Sequence, residues 1–213
     1  MTAIVGVVLF CIAFLLGSIP WGLIISKGVY KTDIRQHGSG NIGTTNAFRA
    51  MGKVGGSAVF VLDFGKGLLS GFIALNVASA MQFDAGSAAY LTQVYLAVAF
   101  LGCVWGHIFS PWLGFKGGKG IAVAIGCLFI TLGSVPSIIE LALFGITVVA
   151  SRYVSLGSVL AALLCPFMAL WTCWGNWPSI ALCTVAALTV VWAHRGNIQR
   201  LASGTERKVG KSK

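Results

Sequence analysis

Charged residues are scarce in this sequence, and acidic residues are the scarcest of them. Only 9% of the 213 residues are charged and only five are Asp or Glu, whereas soluble domains have about 25% charged residues. This composition excludes an ordinary soluble domain, and 57% hydrophobic residues indicate a polytopic membrane protein. The net charge of +10 indicates membrane orientation and contact with anionic lipids or substrates, so nucleic acid is not an expected partner.

Motifs for metal, disulfide and covalent chemistry are also missing. The six cysteines show no C-x-x-C spacing and fall mostly within apolar segments, which argues against a zinc site or a disulfide framework. The chain contains neither a G-x-S-x-G nor an H-E-x-x-H motif. We therefore expect no metal and no cofactor, and any catalysis should rely on positioned groups that bind anions.

Apolar segments fill most of the chain and predict an all-α polytopic integral membrane protein, a single domain over 1–213. The first segment lacks the basic start of a cleavable signal, so it is kept as a span. Two later segments are short for a full crossing, so five spans plus a re-entrant pair is the alternative to seven transmembrane helices. The predicted spans are 3–26, 57–81, 88–108, 120–133, 137–151, 154–172 and 178–194.

Basic residues favour seven crossings. Lys and Arg are frequent in the loops after the first and third spans and in the C-terminal tail, but absent from the connections at 82–87, 133–137 and 173–178. With seven spans every basic residue lies on or near one face, which the positive-inside rule makes cytoplasmic. The N-terminus is then outside and the C-terminus is cytoplasmic.

A polar, glycine-rich run separates the first two spans. Glycines let backbone N–H groups approach an anion closely, and an arginine adds a guanidinium group. Three of the glycines also match a dinucleotide-binding spacing, which we reject because no strand precedes them. The run therefore favours phosphate binding over a polar loop without chemistry. Its candidate site residues are Gly38, Ser39, Gly40, Asn41, Thr45, Asn46 and Arg49.

A second glycine-rich segment opens the fourth span and reads Phe115-Lys116-Gly117-Gly118-Lys119-Gly120. It offers ammonium groups, flexible N–H groups and a helix N-terminus to a phosphate. It is not an ATP-binding P-loop, because Leu113 replaces the first glycine and Gly120 replaces the Ser or Thr that holds magnesium. The simpler interpretation is a basic loop at the membrane interface.

Polar residues collect a third time around Ser155 and between His194 and Glu206. The tail includes Asn197, and Glu206 is predicted to pair with a nearby arginine in a structural role. With seven crossings all three histidines of the chain reach this face, so His107 joins His194 as a candidate. A lone histidine at an interface is more often a hydrogen-bonded structural residue than a catalytic one.

Asp63 and Lys66 lie three residues apart in the predicted early turns of the second span. They therefore share one helix face and are close enough to pair. They form either a structural ion pair or a charged pair with a role beside the site. The second alternative is open because charges inside a membrane are usually functional.

Three motifs stand out when the chain is viewed as a whole: GSGNIGTTNAFR at 38–49, GHIFSPWLGFKGGKG at 106–120 and HRGNIQRLASGTE at 194–206. With them the chain closely resembles the bacterial membrane acyl-phosphate:glycerol-3-phosphate acyltransferases. The similarity extends over essentially the full length, with DIRQHG, the 63–67 segment and SRYVSLGS in the expected order. One departure is Ser110 before Pro111, where family members commonly have proline directly after the H-x-F triplet.

The resemblance implies transfer of an acyl group from acyl phosphate to the sn-1 hydroxyl of glycerol 3-phosphate, giving lysophosphatidic acid and phosphate in the first step of phospholipid synthesis. The proton acceptor stays open among His107, His194 and a substrate phosphate oxygen. The implied catalytic residues are Ser39, Arg49, His194 and Asn197. The implied substrate-binding residues are Gly38, Gly40, Asn41, Thr45, Asn46, His107, Lys116, Gly117, Gly118, Lys119, Gly120 and Ser155. The implied structural residues are Glu206, Asp63 and Lys66.

The resemblance also implies partners and a location. The partners are acyl phosphate, glycerol 3-phosphate, membrane lipids and a peripheral enzyme that produces acyl phosphate, and no cofactor is implied. The location is the bacterial inner membrane, with the active site on the cytoplasmic face. The alternative function is a transporter or binding protein for a phosphorylated metabolite, because short, interrupted helices also suit alternating access.

Overall fold

The computed structural model describes residues 2–81 and 83–210, and every regular element within them is helical. This confirms the predicted all-α fold. Two short 3-10 turns lie in the loops, at Ile34–Gln36 and Pro111–Leu113. The α-helices are α1 (Thr2–Ser18), α2 (Trp21–Gly28), α3 (Thr44–Ala80), α4 (Ala88–Ile108), α5 (Ile121–Thr131), α6 (Ser134–Ser151), α7 (Val154–Thr172), α8 (Trp177–Ala193) and α9 (Arg195–Ala202).

Several helices have the length and composition of membrane spans. Among the described residues, five stretches are long and apolar enough to cross, with α1 and α2 counted together, and a sixth is added if the bent pair α8 and α9 forms one span. The short apolar helix α5 has eleven residues, about 16 Å of helix against a hydrocarbon core of about 30 Å. Integral membrane character is supported, and seven full crossings stay a prediction.

The predicted first span is broken rather than continuous. α1 ends at Ser18 and α2 begins at Trp21, because Pro20 has no N–H group with which to continue the helical hydrogen bonds. The break turns the carbonyl oxygen of Ile19 toward the bundle, where it accepts a hydrogen bond of 2.7 Å from Lys66 Nζ.

The second long helix begins at Thr44 instead of at residue 57. The polar residues before the apolar run hide this start from a prediction based on hydropathy. Gly52, with φ of +69°, interrupts the regular helix geometry. Asp63 and Lys66 therefore lie near the middle of α3 rather than in its early turns, and both are buried.

The two segments that were expected to be short differ from each other. α5 covers Ile121–Thr131, whereas α6 begins at Ser134 instead of 137 and has 18 residues. Pro136 does not break α6, because it falls in the first turn, where backbone N–H groups have no partner within the helix. α6 is therefore long enough to cross a membrane.

The remaining segments agree closely with their predicted bounds. α4 and α7 cover the predicted 88–108 and 154–172, and α8 is shifted by one residue. The predicted external connection at 82–87 starts at Gln82, which lies outside the described residues. Lys211 and Lys213 of the predicted basic tail also lie outside them.

Glycines bring α3 and α5 into close contact. A Cβ atom added at Gly67 would collide with the carbonyl oxygen of Val123, and one at Gly126 would collide with that of Phe64. Small residues of this kind let membrane helices approach closely. This packing fixes the first turns of α5 against α3, beside the buried Lys66.

Candidate active site

One cavity of about 970 Å³ lies between the polar loops and the helices α3 to α9. It collects most of the residues predicted from the sequence. Those that line it are Gly38, Ser39, Asn41, Thr45, Asn46, Arg49, Asp63, His107, Lys119, Gly120, Ser155, His194, Asn197 and Glu206. Predicted residues that do not line it are Gly40, Lys66, Lys116, Gly117 and Gly118.

Asn46 organises the loop before α3. Its Nδ2 group donates to the carbonyl oxygens of Ile34 and His37, both at 3.0 Å, and of Asn41 at 2.8 Å. Its Oδ1 atom accepts a hydrogen bond of 2.9 Å from the Ser39 backbone N–H. Because these loop contacts occupy the amide, the side chain positions Ser39 and has no free donor for a substrate.

The conformation of this loop also requires glycine. Gly38 and Gly40 have φ of +57° and +69°, a region that other residues rarely adopt. A side chain at Gly38 would also collide with Oδ1 of Asn46.

Arg49 follows in the second turn of α3 and lines the cavity near Arg207. No carboxylate lies within ion-pair distance of its guanidinium in the described part of the chain.

The glycines before α5 act differently from the predicted N–H cradle. Gly117 N–H donates to the Ile108 carbonyl oxygen and Gly118 N–H to that of His107, both at 3.0 Å. These N–H groups are already occupied, so a phosphate cradle built from them is not supported. The small size of Gly118 is needed instead, because a side chain there would collide with Nε2 of the His107 ring.

Lys119 and Gly120 bring the cationic end of α5 to the cavity. Gly120 precedes the helix with φ of +86°, and Ile121 and Ala122 of the first turn also line the cavity. The first N–H groups of a helix have no partner within it and carry a partial positive charge, so they favour anions. Lys119 adds a full charge at the same place.

A chain of polar contacts joins Lys119 to the tail. Lys119 Nζ donates to Asn197 Oδ1 at 2.5 Å, and Asn197 Nδ2 donates to Glu206 Oε1 at 2.7 Å. Arg200 Nε donates to the other Glu206 oxygen at 2.7 Å, which is the predicted pairing of Glu206 with an arginine. Burial, together with the positive charges of Arg200 and Arg49, lowers the pKa of Lys119 to about 8, although Glu206 opposes this shift.

His194 lies at the bend between α8 and α9 and is buried. Its Nδ1 atom is 2.8 Å from the carbonyl oxygen of Val190. Because a carbonyl oxygen can only accept, Nδ1 carries the hydrogen and Nε2 of the neutral ring has a free lone pair. His194 therefore presents an acceptor to the cavity that it lines.

His107 is held by a buried ion pair. Lys66 Nζ lies 2.9 Å from Asp63 Oδ1 and 3.0 Å from Nδ1 of His107. An ammonium group can only donate, so Nδ1 of His107 accepts and its hydrogen is on Nε2. This bond occupies the one lone pair of the neutral ring, so His107 cannot accept a proton without breaking it. The pair joins α3, α4 and the break at Ile19.

Two hydroxyl groups at the cavity lack partners. The Oγ1 atom of Thr44 and the Oγ atom of Ser155 are buried and form no hydrogen bond with the described residues. Ser155 nevertheless lies near Glu206. Buried polar atoms normally have a partner, so both hydroxyls are available to a ligand. Ser155 was predicted to contact substrate, whereas Thr44 was not.

The cavity continues from this polar end between apolar helix faces. It is lined there by side chains such as Ile125, Leu128, Phe144 and Ala162.

Glu140 also lines this apolar part, although no sequence motif contains it. The sequence contained a signal that Glu140 is functional, since it is the one acidic residue between 85 and 205 and lies inside an apolar segment. Charge counting alone likewise assigns Arg207 and Lys208 to a basic tail, although both line the cavity.

These features define a class of protein: an integral membrane protein in which a cationic, hydrogen-bonding site opens into an apolar groove. Such a cavity suits a molecule with a phosphate-type anion at one end and a hydrocarbon chain at the other. The groups around the polar end come from the three motifs of the sequence.

Comparisons with known proteins identify the family within this class. The family model described as glycerol-3-phosphate acyltransferase matches residues 7–204. A glycerol-3-phosphate acyltransferase of Thermosynechococcus vestitus is 38% identical over 99% of this chain and 98% of its own. One from Rhodopseudomonas palustris is 42% identical over 95% of this chain and 94% of its own.

Solved structures agree with this match. A crystal structure of PlsY (YgiH), an integral membrane glycerol 3-phosphate acyltransferase in its glycerol 3-phosphate form, has a TM-score of 0.82 at 33% identity over 96% of both chains. A second PlsY crystal structure, in its lysophosphatidic acid form, has a TM-score of 0.79 at the same identity, over 96% of this chain and 95% of that one. The chain belongs to the glycerol-3-phosphate acyltransferase family, and the resemblance based on its motifs is confirmed.

Proposed function

We propose that this glycerol-3-phosphate acyltransferase takes its acyl group from acyl phosphate and transfers it to the sn-1 hydroxyl of glycerol 3-phosphate. The products are lysophosphatidic acid and inorganic phosphate. The supporting observation is that one cavity joins a cationic polar site to an apolar groove. Both substrates carry phosphate, and only the donor carries a hydrocarbon chain.

The phosphate groups bind at the polar end. Arg49, Lys119 and the first turn of α5 all face this part of the cavity. A guanidinium fork holds two phosphate oxygens at once, and the helix N-terminus adds free N–H donors. Ser39 and the unpartnered hydroxyl of Ser155 contribute further hydrogen bonds.

Asn197 contributes to the site in two ways, because it orients Lys119 and also lies beside Lys119 in the cavity. Its Oδ1 atom accepts from Lys119 Nζ, while Glu206 fixes its Nδ2 group from the other side. We infer from these contacts that Glu206 has a structural role and that it orients Asn197 and Lys119 toward the substrate. Such fixed donors stabilise the charge that develops on the reacting oxygens.

The chemistry requires mainly orientation and charge stabilisation, because acyl phosphate is an activated mixed anhydride. The hydroxyl oxygen of glycerol 3-phosphate forms an ester bond to the acyl carbon. The bond from that carbon to the phosphate oxygen breaks, and phosphate leaves with the electron pair. The hydroxyl proton passes to Nε2 of His194 or to a substrate phosphate oxygen, since His107 is engaged by Lys66.

The proposed setting is the cytoplasmic face of the bacterial inner membrane. Seven crossings would bring every basic loop to that side by the positive-inside rule. Acyl phosphate would then come from a peripheral enzyme at the same face, and the product would enter the surrounding lipid. No cofactor takes part in this reaction.

A donor comparison tests the proposal. Purified protein is given glycerol 3-phosphate together with acyl phosphate, acyl-CoA or an acyl carrier protein thioester of the same chain length. We expect lysophosphatidic acid acylated at sn-1 from acyl phosphate alone, as identified by mass spectrometry and NMR. Equal product from acyl-CoA, or acylation at sn-2, would contradict the proposal.

Lys119→Ala should lose activity, whereas Lys53→Ala, which removes an exposed charge outside the cavity, should not.

A further inference from the structure

Glu140 is a buried acid in the apolar part of the cavity. Its side chain is 3% exposed, and its Oε1 atom has no hydrogen-bond partner among residues 2–81 and 83–210. No Lys or Arg of the described chain lies within ion-pair distance of it. Buried polar groups normally have a hydrogen-bond partner, so this carboxyl oxygen calls for an explanation.

The position of Glu140 on α6 directs it at the groove. Glu140, Phe144 and Val148 recur every four residues and all line the cavity, so they form one helix face. The opposite wall comes from α7, where Ser155, Ser158 and Cys165 line the same cavity. The Cys165 thiol is a polar neighbour of the Glu140 carboxyl.

Helix geometry gives the depth of Glu140 in the groove. Ser155 is at the polar end and Cys165 is beside Glu140, so ten residues of α7 separate the two levels. At a rise of 1.5 Å per residue, this distance is about 15 Å. An extended chain advances about 1.2 Å per bond, since three backbone bonds cover at most about 3.6 Å. An acyl chain held at the polar end would therefore reach Glu140 after about twelve carbons.

Methylene groups are poor neighbours for this carboxyl. An acyl chain that stops before Glu140 leaves room for water, which can hydrogen-bond to the free oxygen. A longer chain displaces that water and leaves the carboxyl facing hydrocarbon without a partner. This free-energy penalty applies only to acyl chains that pass Glu140. A hydroxyl group on the acyl chain at the same depth would remove it.

We propose that Glu140 is a specificity-determining residue that restricts the groove to acyl chains of about twelve carbons or to chains with a polar group at that depth. This inference rests on the proposed function, since the groove must hold the acyl chain of the donor. It concerns selection of the acyl group only. Binding of glycerol 3-phosphate takes place at the polar end, about 15 Å away.

The test measures kcat/KM for saturated acyl phosphates of roughly ten to eighteen carbons, a range that brackets the depth estimate. It uses the wild type, Glu140→Leu and Glu140→Gln. We expect the wild-type value to fall about tenfold for chains that pass Glu140, because a buried polar group is then left unpaired. The Leu variant should lose this fall, the Gln variant should keep it, and KM for glycerol 3-phosphate should stay unchanged in both.

A second measurement needs no variant. An acyl phosphate of about sixteen carbons with a hydroxyl near the twelfth should be a better donor to the wild type than its unsubstituted equivalent. An identical chain-length profile in the wild type and Glu140→Leu, or no gain from the hydroxyl, would overturn the inference while leaving acyl-phosphate transfer intact. Failure of every acyl phosphate as a donor to the wild type would instead refute the proposed function.

Discussion

Asp63 and Glu140 are two buried acids with opposite surroundings. Asp63 is paired with Lys66 at 2.9 Å and lies 3.8 Å from His107. Glu140 has one oxygen without a partner and faces an apolar groove. Burial alone therefore does not define a functional charge in this protein. A matched charge holds helices together, whereas an unmatched charge beside the cavity is available to a ligand.

The cations divide in the same way. Lys66 is matched by Asp63, and Arg200 is matched by Glu206 at 2.7 Å. Arg49 and Lys119 line the cavity without a carboxylate at ion-pair distance in the described residues, although an amide orients Lys119. We therefore expect changes at matched residues to lower stability and changes at unmatched residues to lower activity.

Breaking the buried pair should have the largest effect. Lys66→Met leaves Asp63 buried without its cation, which typically costs about 3 to 5 kcal/mol of unfolding free energy. In detergent this should lower Tm by roughly 10 °C. The control is the double variant Asp63→Leu/Lys66→Met, which should recover most of the loss because both charges are gone. Equal stability of the single and double variants would contradict the assignment of this pair as structural.

Arg49→Lys tests an unmatched cation. Lys keeps the charge but loses the planar fork that holds two phosphate oxygens, and hydrogen bonds to charged groups are worth about 1.5 to 3 kcal/mol. We expect kcat/KM to fall roughly tenfold to a hundredfold, with Tm unchanged. Near-normal activity would leave Arg49 as a general positive charge rather than a fork.

The pH dependence of kcat/KM should show whether the positive charge of Lys119 is needed for activity. Its pKa of about 8 means that the charged form is present below pH 8 and is lost as the pH rises through that value, whereas an ordinary lysine stays charged to about pH 10. We expect kcat/KM for glycerol 3-phosphate to fall about tenfold between pH 7 and pH 9. Lys119→Arg should flatten this fall, because arginine stays charged. A flat wild-type profile would show that the charge of Lys119 is not needed.

The smallest effect is expected for the stability of Glu140→Leu. Replacing an unpaired buried acid with an apolar group of similar size removes a desolvation cost and breaks no ion pair. We expect a change within about 1 kcal/mol, and a gain rather than a loss. A loss as large as that of Lys66→Met would mean that Glu140 is matched in the membrane after all.

Sequence patterns predicted much of this architecture. Hydropathy located α4, α7 and α8 to within one residue, because these helices end at polar or turn residues. It missed the start of α3, where Thr44 to Arg49 are helical but polar. It also missed the break at Pro20, since local composition does not tell which proline in a membrane helix is tolerated.

The sequence motifs also located most of the residues that meet at the polar end of the cavity. Motifs report residue types that suit phosphate, and the cavity brings most of those residues together. Motifs do not report which groups are already occupied. The N–H groups of Gly117 and Gly118 are bonded to the end of α4, and the side chain of Asn46 is bonded to the loop before α3. Glu140 belongs to no motif, and its position beside α7 depends on tertiary packing.

Direct transfer within one cavity requires phosphate release to be coupled to acylation of glycerol 3-phosphate. Purified wild-type protein is given acyl phosphate with and without glycerol 3-phosphate, and phosphate and lysophosphatidic acid are measured in the same sample. A cavity that holds both substrates for direct transfer predicts phosphate release only in the presence of glycerol 3-phosphate, in equal amount to lysophosphatidic acid. Phosphate release at the same rate without glycerol 3-phosphate, or lysophosphatidic acid formed without phosphate release, would contradict it.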